Sequence, residues 1–448
     1  MIGKSPNRNE RDMFRPLLSD FIDMKHELVL LSERIDWNYF EKEFAPLYSR
    51  MGQPAEPIRL MVGCLLLKHL CNLGDETLAK AWVRDPYMQY FCGEAFFQHR
   101  FPFDPSDFVH FRKRIGESGV EKIFQYSVSL FGKEAEEELM VSDTTVQGNN
   151  TEFPTDAGLY KKVIDYCNKI AASEGVPQRQ TYTRKSKALL RICYNARNPK
   201  RRKDAAAARR KLHTLAGRQV RELLRRLSEE AKRKYAEQLS VYIRILEQTR
   251  TSKDKVYSPH KPYTACVAKG KASHEYEFGN KVGIISTAKR QIIVAVKAFM
   301  GNPHDSKTIE PLLEQMEANG RRLPEEIAYD RGGRGRKEIH GVKILTPGKP
   351  LKTDTPWQKA KKRKPFRRRA AIEPLIGHLK TDHRMQDNFL WGSVSSTVNA
   401  MLAATAWNLK KLMKELLQAL LCLIRTLADS MAKQLLASKQ SILMLEFV

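Results

Sequence analysis

Apolar residues recur at helical spacing through roughly the first 120 positions, in blocks short enough to need frequent turns. Pro57 can occupy the first turn of a helix whose apolar face runs through Leu60, Met61, Cys64, Leu67 and Leu70. Asp75 is the expected N-cap of the next helix, ahead of Leu78 and Trp82, and Ser106 that of another, ahead of Phe108, Phe111 and Ile115. That last helix carries Arg112, Lys113 and Arg114 among its apolar positions. A helix-turn-helix-like DNA reader and a small helical bundle with a solvated basic face both fit this stretch.

At "EEELMVSDTTVQGNN" the period changes. Leu139, Met140 and Val141 lead into Ser142, Asp143 and two β-branched threonines, which predicts a short strand ending in a turn, with Asp143 inside the strand signal where aspartate is disfavoured. Residues 158 to about 250 return to helical spacing, with Leu212, Leu215, Val220, Leu223, Leu224 and Leu227 able to pack on one side. "YEFGNKVGIIS" and "RQIIVAVKAF", joined through Thr287, Ala288 and Lys289, predict a hairpin. A helix follows, with Asp305 as its expected N-cap and Gly320 as its stop, then a strand ending on Asp330, one more strand in "HGVKILTPG", and a final helical region from about 369. The fold class is therefore α/β, a mixed sheet with a large basic helical insertion after its first strand. The expected divisions are an all-α amino-terminal domain (1–135), the first core strand (136–157), the insertion (158–258), the rest of the core (259–415) and a helical tail (416–448).

Charge adds a partner. The 448 residues carry a net charge of +27 and a pI of about 9.7, and residues 184–250 hold 21 Lys or Arg against 6 acids. A solvated face usually balances its signs, so this one-sided excess points to a polyanion. No apolar run approaches the roughly 20 residues needed to span a bilayer, and "MIGKSPNRNERDMF" lacks a signal-peptide pattern, so a soluble cytoplasmic protein with no membrane partner is expected. Seven scattered cysteines without a C-x-x-C pair fit reduced thiols and give no zinc site.

Three carboxylates stand out by position: Asp143 in one strand, Asp330 at the end of another, and Glu373 just past the basic run 359–369. Three acids with no His or Cys partner suit hard cations such as Mg²⁺ or Mn²⁺. Two such ions, about 4 Å apart, serve in-line displacement at a phosphodiester. If one helix carries them all, Arg369, Glu373 and Lys380 fall within about 40° of each other, flanking the acid with cations. Pro374 leaves two arrangements open: Glu373 caps that helix, or Pro374 lies in its first turn; if Glu373 caps, Arg369 precedes the helix and drops out of this face. Each motif alone also has a plainer reading, as a surface ion-pair array, a glycine turn or a turn-starting aspartate.

The blocks "VSDTTVQ", "FPTDAGLYKKVID", "GKASHEYEFGNKVGI", "GNPHDSKT", "YDRGGRG" and "RRRAAIEPLIGHLKTDHRM" together resemble the transposases of bacterial insertion sequences of group five, within the wider DDE superfamily that includes group four. The resemblance runs from about 27 to 415. Its most specific part is a Tyr, Arg, Glu, Lys pattern matched here at Arg369, Glu373 and Lys380, with Phe366 in place of the tyrosine. A second departure is Gly333, where related sequences often have an aromatic.

The resemblance implies an RNase H-like core in which Asp143, Asp330 and Glu373 bind divalent metal, Mg²⁺ or Mn²⁺ and in all two ions. It implies helices 1–135 that bind the terminal inverted repeats in double-stranded DNA, target DNA as a second substrate, a homo-oligomer on DNA, and a nucleoid-associated protein of the bacterial cytoplasm. Arg367, Arg368, Arg369, Lys380, Arg112 and Arg114 are the expected DNA contacts. A decayed transposase that only binds DNA is the alternative.

Overall fold

Met140, Val141 and Ser142, then Thr145, Val146 and Gln147, are buried on both sides of one strand, which marks it as central to a sheet. The computed structural model describes residues 3, 12–49, 51–268, 275–348 and 353–445. Most of the amino-terminal stretch read for a signal, and residues 269–274 inside one quoted block, lie outside the described residues. Among the described residues seven strands form one mixed sheet: β1 (Leu139–Gly148), β2 (Ala265–Ala268), β3 (Tyr276–Thr287), β4 (Ile293–Phe299), β5 (Glu326–Ala328), β6 (Glu338–Ile339) and β7 (Val342–Leu345). The path runs β2-β3-β1-β5-β7-β6, and β4 also pairs with β3. β1 is antiparallel to β3, with Asp143 opposite Ile284, and parallel to β5, with Val141 beside Ala328.

The expected hairpin is β3–β4, antiparallel from Lys281 opposite Phe299 onward. β1 is longer than the short strand expected, because its β-branched second half stays paired with β3 as far as Gly148. The short strands β2 and β6 carry too few residues to show a period and were not expected.

Helices cover the sheet. Every residue of Ile58–Leu70 except Arg59 is buried, so this helix is the centre of the amino-terminal packing. It shares one apolar cluster with Phe111 and Phe124 of Asp107–Ser129, Ile284 and Val296 of the sheet, Leu312 of Ile309–Ala318, and Met401 and Leu409 of the long helix Ser395–Leu445. The basic segment builds its own core, in which Leu212, Leu215, Val220, Leu223 and Leu227 meet Val163, Ile164 and Cys167 of Asp156–Ser173.

Several local expectations change. Gly74, not Asp75, takes the N-cap position, because Asp75 is drawn into an ion cluster. Asp305 lies in a 3₁₀ turn capped by His304 and is held by Lys281 and Thr144. Arg369 ends one helix, Pro356–Arg369, and Glu373 is the second residue of another, Ile372–Thr381, with Pro374 in its first turn. The single-helix alignment of Arg369 with Glu373 and Lys380 therefore fails, although Glu373 and Lys380, seven residues apart, still share a face.

Candidate active site

β1 delivers Asp143 to the middle of the sheet, and its side chain is only 15% exposed. Oδ1 accepts from the Thr144 backbone N–H (2.8 Å), and Oδ2 accepts from Nη2 of Arg369 (3.0 Å). Burial pushes the carboxyl up to about 6; Arg369 and the Thr144 N–H oppose this, while the negative charges of Asp330 and Glu373 push further up. Three carboxylates thus share one field, and the single arginine beside Asp143 does not neutralise it.

Asp330 follows β5 and caps the turn Arg331–Gly333, accepting the Gly332 N–H at 2.8 Å. A Cβ at Gly332 would stand 2.5 Å from Oδ2 of Asp305 and 3.0 Å from Oδ1 of Asp330, so a side chain there would push the Asp305 carboxylate aside. The turn therefore brings a fourth acid, Asp305, alongside. Its Oδ1 accepts from Nζ of Lys281 (2.9 Å) and Oγ1 of Thr144 (2.9 Å), and Lys281 also donates to the Pro303 carbonyl. Lys281 and Thr144 come from β3 and β1, so Asp305 ties the 303–308 loop to the strand that carries Asp143. Sequence reading missed this role; the only signal was that Asp305 sits inside the quoted block "GNPHDSKT".

Glu373 is 71% exposed, in the first turn of its helix, where a negative charge suits the helix dipole. Arg369 reaches it despite the helix break, with Nη1 4.0 Å from Oε1. Its guanidinium therefore stands between Asp143 and Glu373, is 17% exposed, and keeps a buried Nε donor without a partner. Arg367 and Arg368 are exposed. The 14-residue helix that ends on Arg369 buries no residue, so over about 21 Å it presents lysines and arginines to solvent up to the carboxylates. Phe366 is partly buried against Val141, Ala328 and Ile372 and seats that helix on the sheet. Gly333 lies under the Tyr329 ring, where a Cβ would come 1.9 Å from Cδ1, so the space of an aromatic at 333 is already filled.

The two amino-terminal arginines lie elsewhere. Arg112, expected on a DNA-facing side, is 9% exposed and grips Asp75 with both terminal nitrogens (3.1 and 2.8 Å), while Lys68 takes the same carboxylate at 2.6 Å. Arg114 lies over the Tyr48 ring, 4.3 Å from its centroid. The amino-terminal helices are also tied to the Glu373 helix: His69 and His383 exchange contacts with each other's carbonyls (3.2 and 3.0 Å), and Asn72 donates to the Thr381 carbonyl (2.7 Å). Among the described residues no three metal-capable side chains converge closely enough to hold an ion as they stand, and no helix is long and apolar enough to cross a membrane.

Two stretches match family models: residues 16–114 a transposase domain (DUF772), and residues 350–413 a transposase DDE domain. The second stretch includes Arg369, Glu373 and Lys380 but neither Asp143 nor Asp330. An uncharacterised protein, ORF8 in the nfe locus of Rhizobium meliloti, is 40% identical over 187 residues, 41% of this chain and 90% of that protein. No solved structure matches the chain.

Proposed function

Because this chain belongs to the family of the rhizobial protein and carries two transposase domains, we propose that it is an insertion-sequence transposase, of group five, that binds terminal inverted repeats and cuts and joins DNA at Asp143, Asp330 and Glu373. The observation that carries the reading is the geometry around Asp143: a partly buried carboxylate, raised chiefly by burial and further by two nearby acids, with one arginine reaching both it and Glu373. We read the sheet as an RNase H-like core. In support, β4, β3 and β1 are successive antiparallel neighbours, and β5 and β7 continue parallel to β1.

The residues present fit a divalent cation by chemistry: three carboxylates offer only oxygen donors, and Asp330 and Glu373 lie near enough to Asp143 to act on its carboxyl, which burial raises most. Asp143, Asp330 and Glu373 are the residues that would hold Mg²⁺ or Mn²⁺, two ions in all. Such ions, when bound, activate an attacking oxygen and stabilise the leaving one at a phosphodiester. Arg369 stands as a counter-cation between Asp143 and Glu373 and would be available to a DNA phosphate if those carboxylates held a divalent ion. Arg367, Arg368 and the lysines behind them grip the strand on the near side. Lys380, about 10 Å further along the Glu373 helix, faces it on the far side. Lys281 and Thr144 hold Asp305 so that the turn bearing Asp330 keeps its place. The helices of 1–135 bind the ends of the element, the partner is double-stranded DNA, and two copies or more hold the paired ends in the bacterial nucleoid.

The test is Mg²⁺- or Mn²⁺-dependent nicking of a labelled duplex carrying the element's terminal repeat, against a scrambled duplex and the Glu373→Ala protein. Nicking at the repeat boundary, lost in the variant, supports the reading. Tight binding of single and paired ends without any nicking would replace it with a DNA-binding protein that has lost its chemistry.

A further inference from the structure

The helix that carries Glu373 is held at its two ends by different parts of the molecule. At the near end Ile372 is buried against Val141 and Ala328, from the strands that lead to Asp143 and Asp330. Leu375 and Leu379 continue the apolar contact. Such packing is non-directional, so it opposes lifting the helix off the sheet more than sliding or rolling it. Glu373 adds little of its own: it is 71% exposed, and its ion pair with Arg369 is long (4.0 Å). The place of its carboxylate therefore follows from the register of the helix, and the directed bonds that set this register lie at the far end.

There the chain meets the end of the amino-terminal helix Ile58–Leu70. His69 and His383 are both buried, and each places its Nδ1 on the other's carbonyl, at 3.2 and 3.0 Å. A carbonyl only accepts, so both Nδ1 atoms carry a proton. Burial holds both imidazoles below the usual histidine range, and they donate as neutral rings. Asn72 donates to the Thr381 carbonyl (2.7 Å), and Nη1 of Arg384 reaches the Asn72 carbonyl (3.4 Å). Each helix closes on a left-handed residue, Asn72 (φ 55°) and Arg384 (φ 62°), with the Leu73 N–H on the Lys68 carbonyl and the Met385 N–H on the Leu379 carbonyl. Asparagine is among the few non-glycine residues that accept this backbone, and here it also supplies the donor. Just beyond, the Gly148 N–H donates to the Gln386 carbonyl (3.0 Å) and the Asn388 N–H to the Gly148 carbonyl (2.6 Å), which ties the same segment to the end of β1.

We propose that His69, Asn72 and His383 are positioning residues for Glu373, through which the amino-terminal helices set where the third carboxylate stands relative to Asp143. A site for a divalent ion needs its ligands held within about 0.5 Å, a tolerance that apolar contact alone does not give. The helices proposed to bind the repeat ends are then also a support of the metal site. The inference rests on the reading of Asp143, Asp330 and Glu373 as metal ligands.

The test is manganese binding by the full-length, DNA-free protein, followed by electron paramagnetic resonance, with hydrogen exchange of the 372–381 amides in the metal-free protein as a second readout. Asn72→Gly keeps the left-handed backbone and removes only the donor. It is expected to weaken manganese binding about 3- to 10-fold, the worth of one neutral hydrogen bond, and to speed exchange in that helix. His383→Leu should do at least as much, and His383→Asn, whose amide can donate from the place of Nδ1, should recover part of the loss. In a Glu373→Gln background Asn72→Gly is expected to cost nothing further, because its effect runs through Glu373. Should His383→Leu lose its circular-dichroism melt, Asn72→Gly with and without Glu373→Gln carries the test. Wild-type manganese affinity in Asn72→Gly, or the same fold loss in both backgrounds, would overturn the proposal. A wild-type protein that takes up no manganese would instead overturn the metal reading on which it rests.

Discussion

Two partly buried aspartates each meet an arginine, and only one of the two arrangements closes its charge. Asp75 has Arg112 across both oxygens and Lys68 on one of them, and these partners hold its carboxyl below the usual range in spite of burial. Lys68 is itself lowered to about 8, first by burial and then by Arg112. Asp143 is pushed up to about 6, first by burial, with one arginine opposing and two further acids adding to the rise. The first cluster is an internal staple between helices, because it closes its own charge. The second leaves its carboxyl raised, chiefly by burial, with its arginine only partly offsetting the rise, and on the proposed reading that is where an ion and a phosphate would add positive charge.

The comparison is broken most easily by cleavage. Alanine at Asp143, Asp330 or Glu373 is expected to lower repeat-end nicking by about 10³-fold or more while duplex binding by anisotropy stays close to wild type. Full nicking in any one variant removes that residue from the site. Asp75→Ala strands two buried cations and should lower unfolding free energy in urea by about 3–5 kcal/mol; a loss below about 1 kcal/mol would mean the staple is not structural.

Asp143→Asn sharpens the contrast through pH. Between about pH 4 and 6 the unfolded chain has ionised this carboxyl while the folded one keeps its proton, so the metal-free wild type loses stability as pH rises through that window. The asparagine protein lacks this loss. It should be more stable at pH 8 by up to about 3 kcal/mol and indistinguishable below pH 4, as read by denaturant melts. A parallel pH profile for the two proteins would contradict the raised carboxyl. The smallest effect belongs to the exposed cations: Arg368→Ala should reduce the salt dependence of duplex binding by about one counter-ion in slope, with little loss of repeat preference.

Much of this site could be read in the chain, for local reasons. Asp143 stood out because aspartate interrupts a strand signal, and Glu373 because an acid follows eight cations and precedes a proline. The insertion announced its packing side through leucines at helical spacing, and those leucines are buried, Leu224 only in part. What stayed hidden depends on contacts between distant segments. Asp305 looks like a helix cap until Thr144, 161 residues away, and Lys281 are seen to hold it. Arg112 reads as one of a run of solvent-facing cations until Asp75 is found opposite it. The break between Arg369 and Ile372 undoes the single-helix alignment, yet the arginine reaches Glu373 by another path, because folding against β1 and not helical period sets its direction.

The most direct test of the central claim is manganese binding to full-length protein, followed by electron paramagnetic resonance in the presence of the repeat duplex. The comparison is between the wild type and the Asp143→Asn and Glu373→Gln proteins. The account predicts binding by the wild type that weakens at least about tenfold in both variants. Manganese held at wild-type strength by either variant would contradict it.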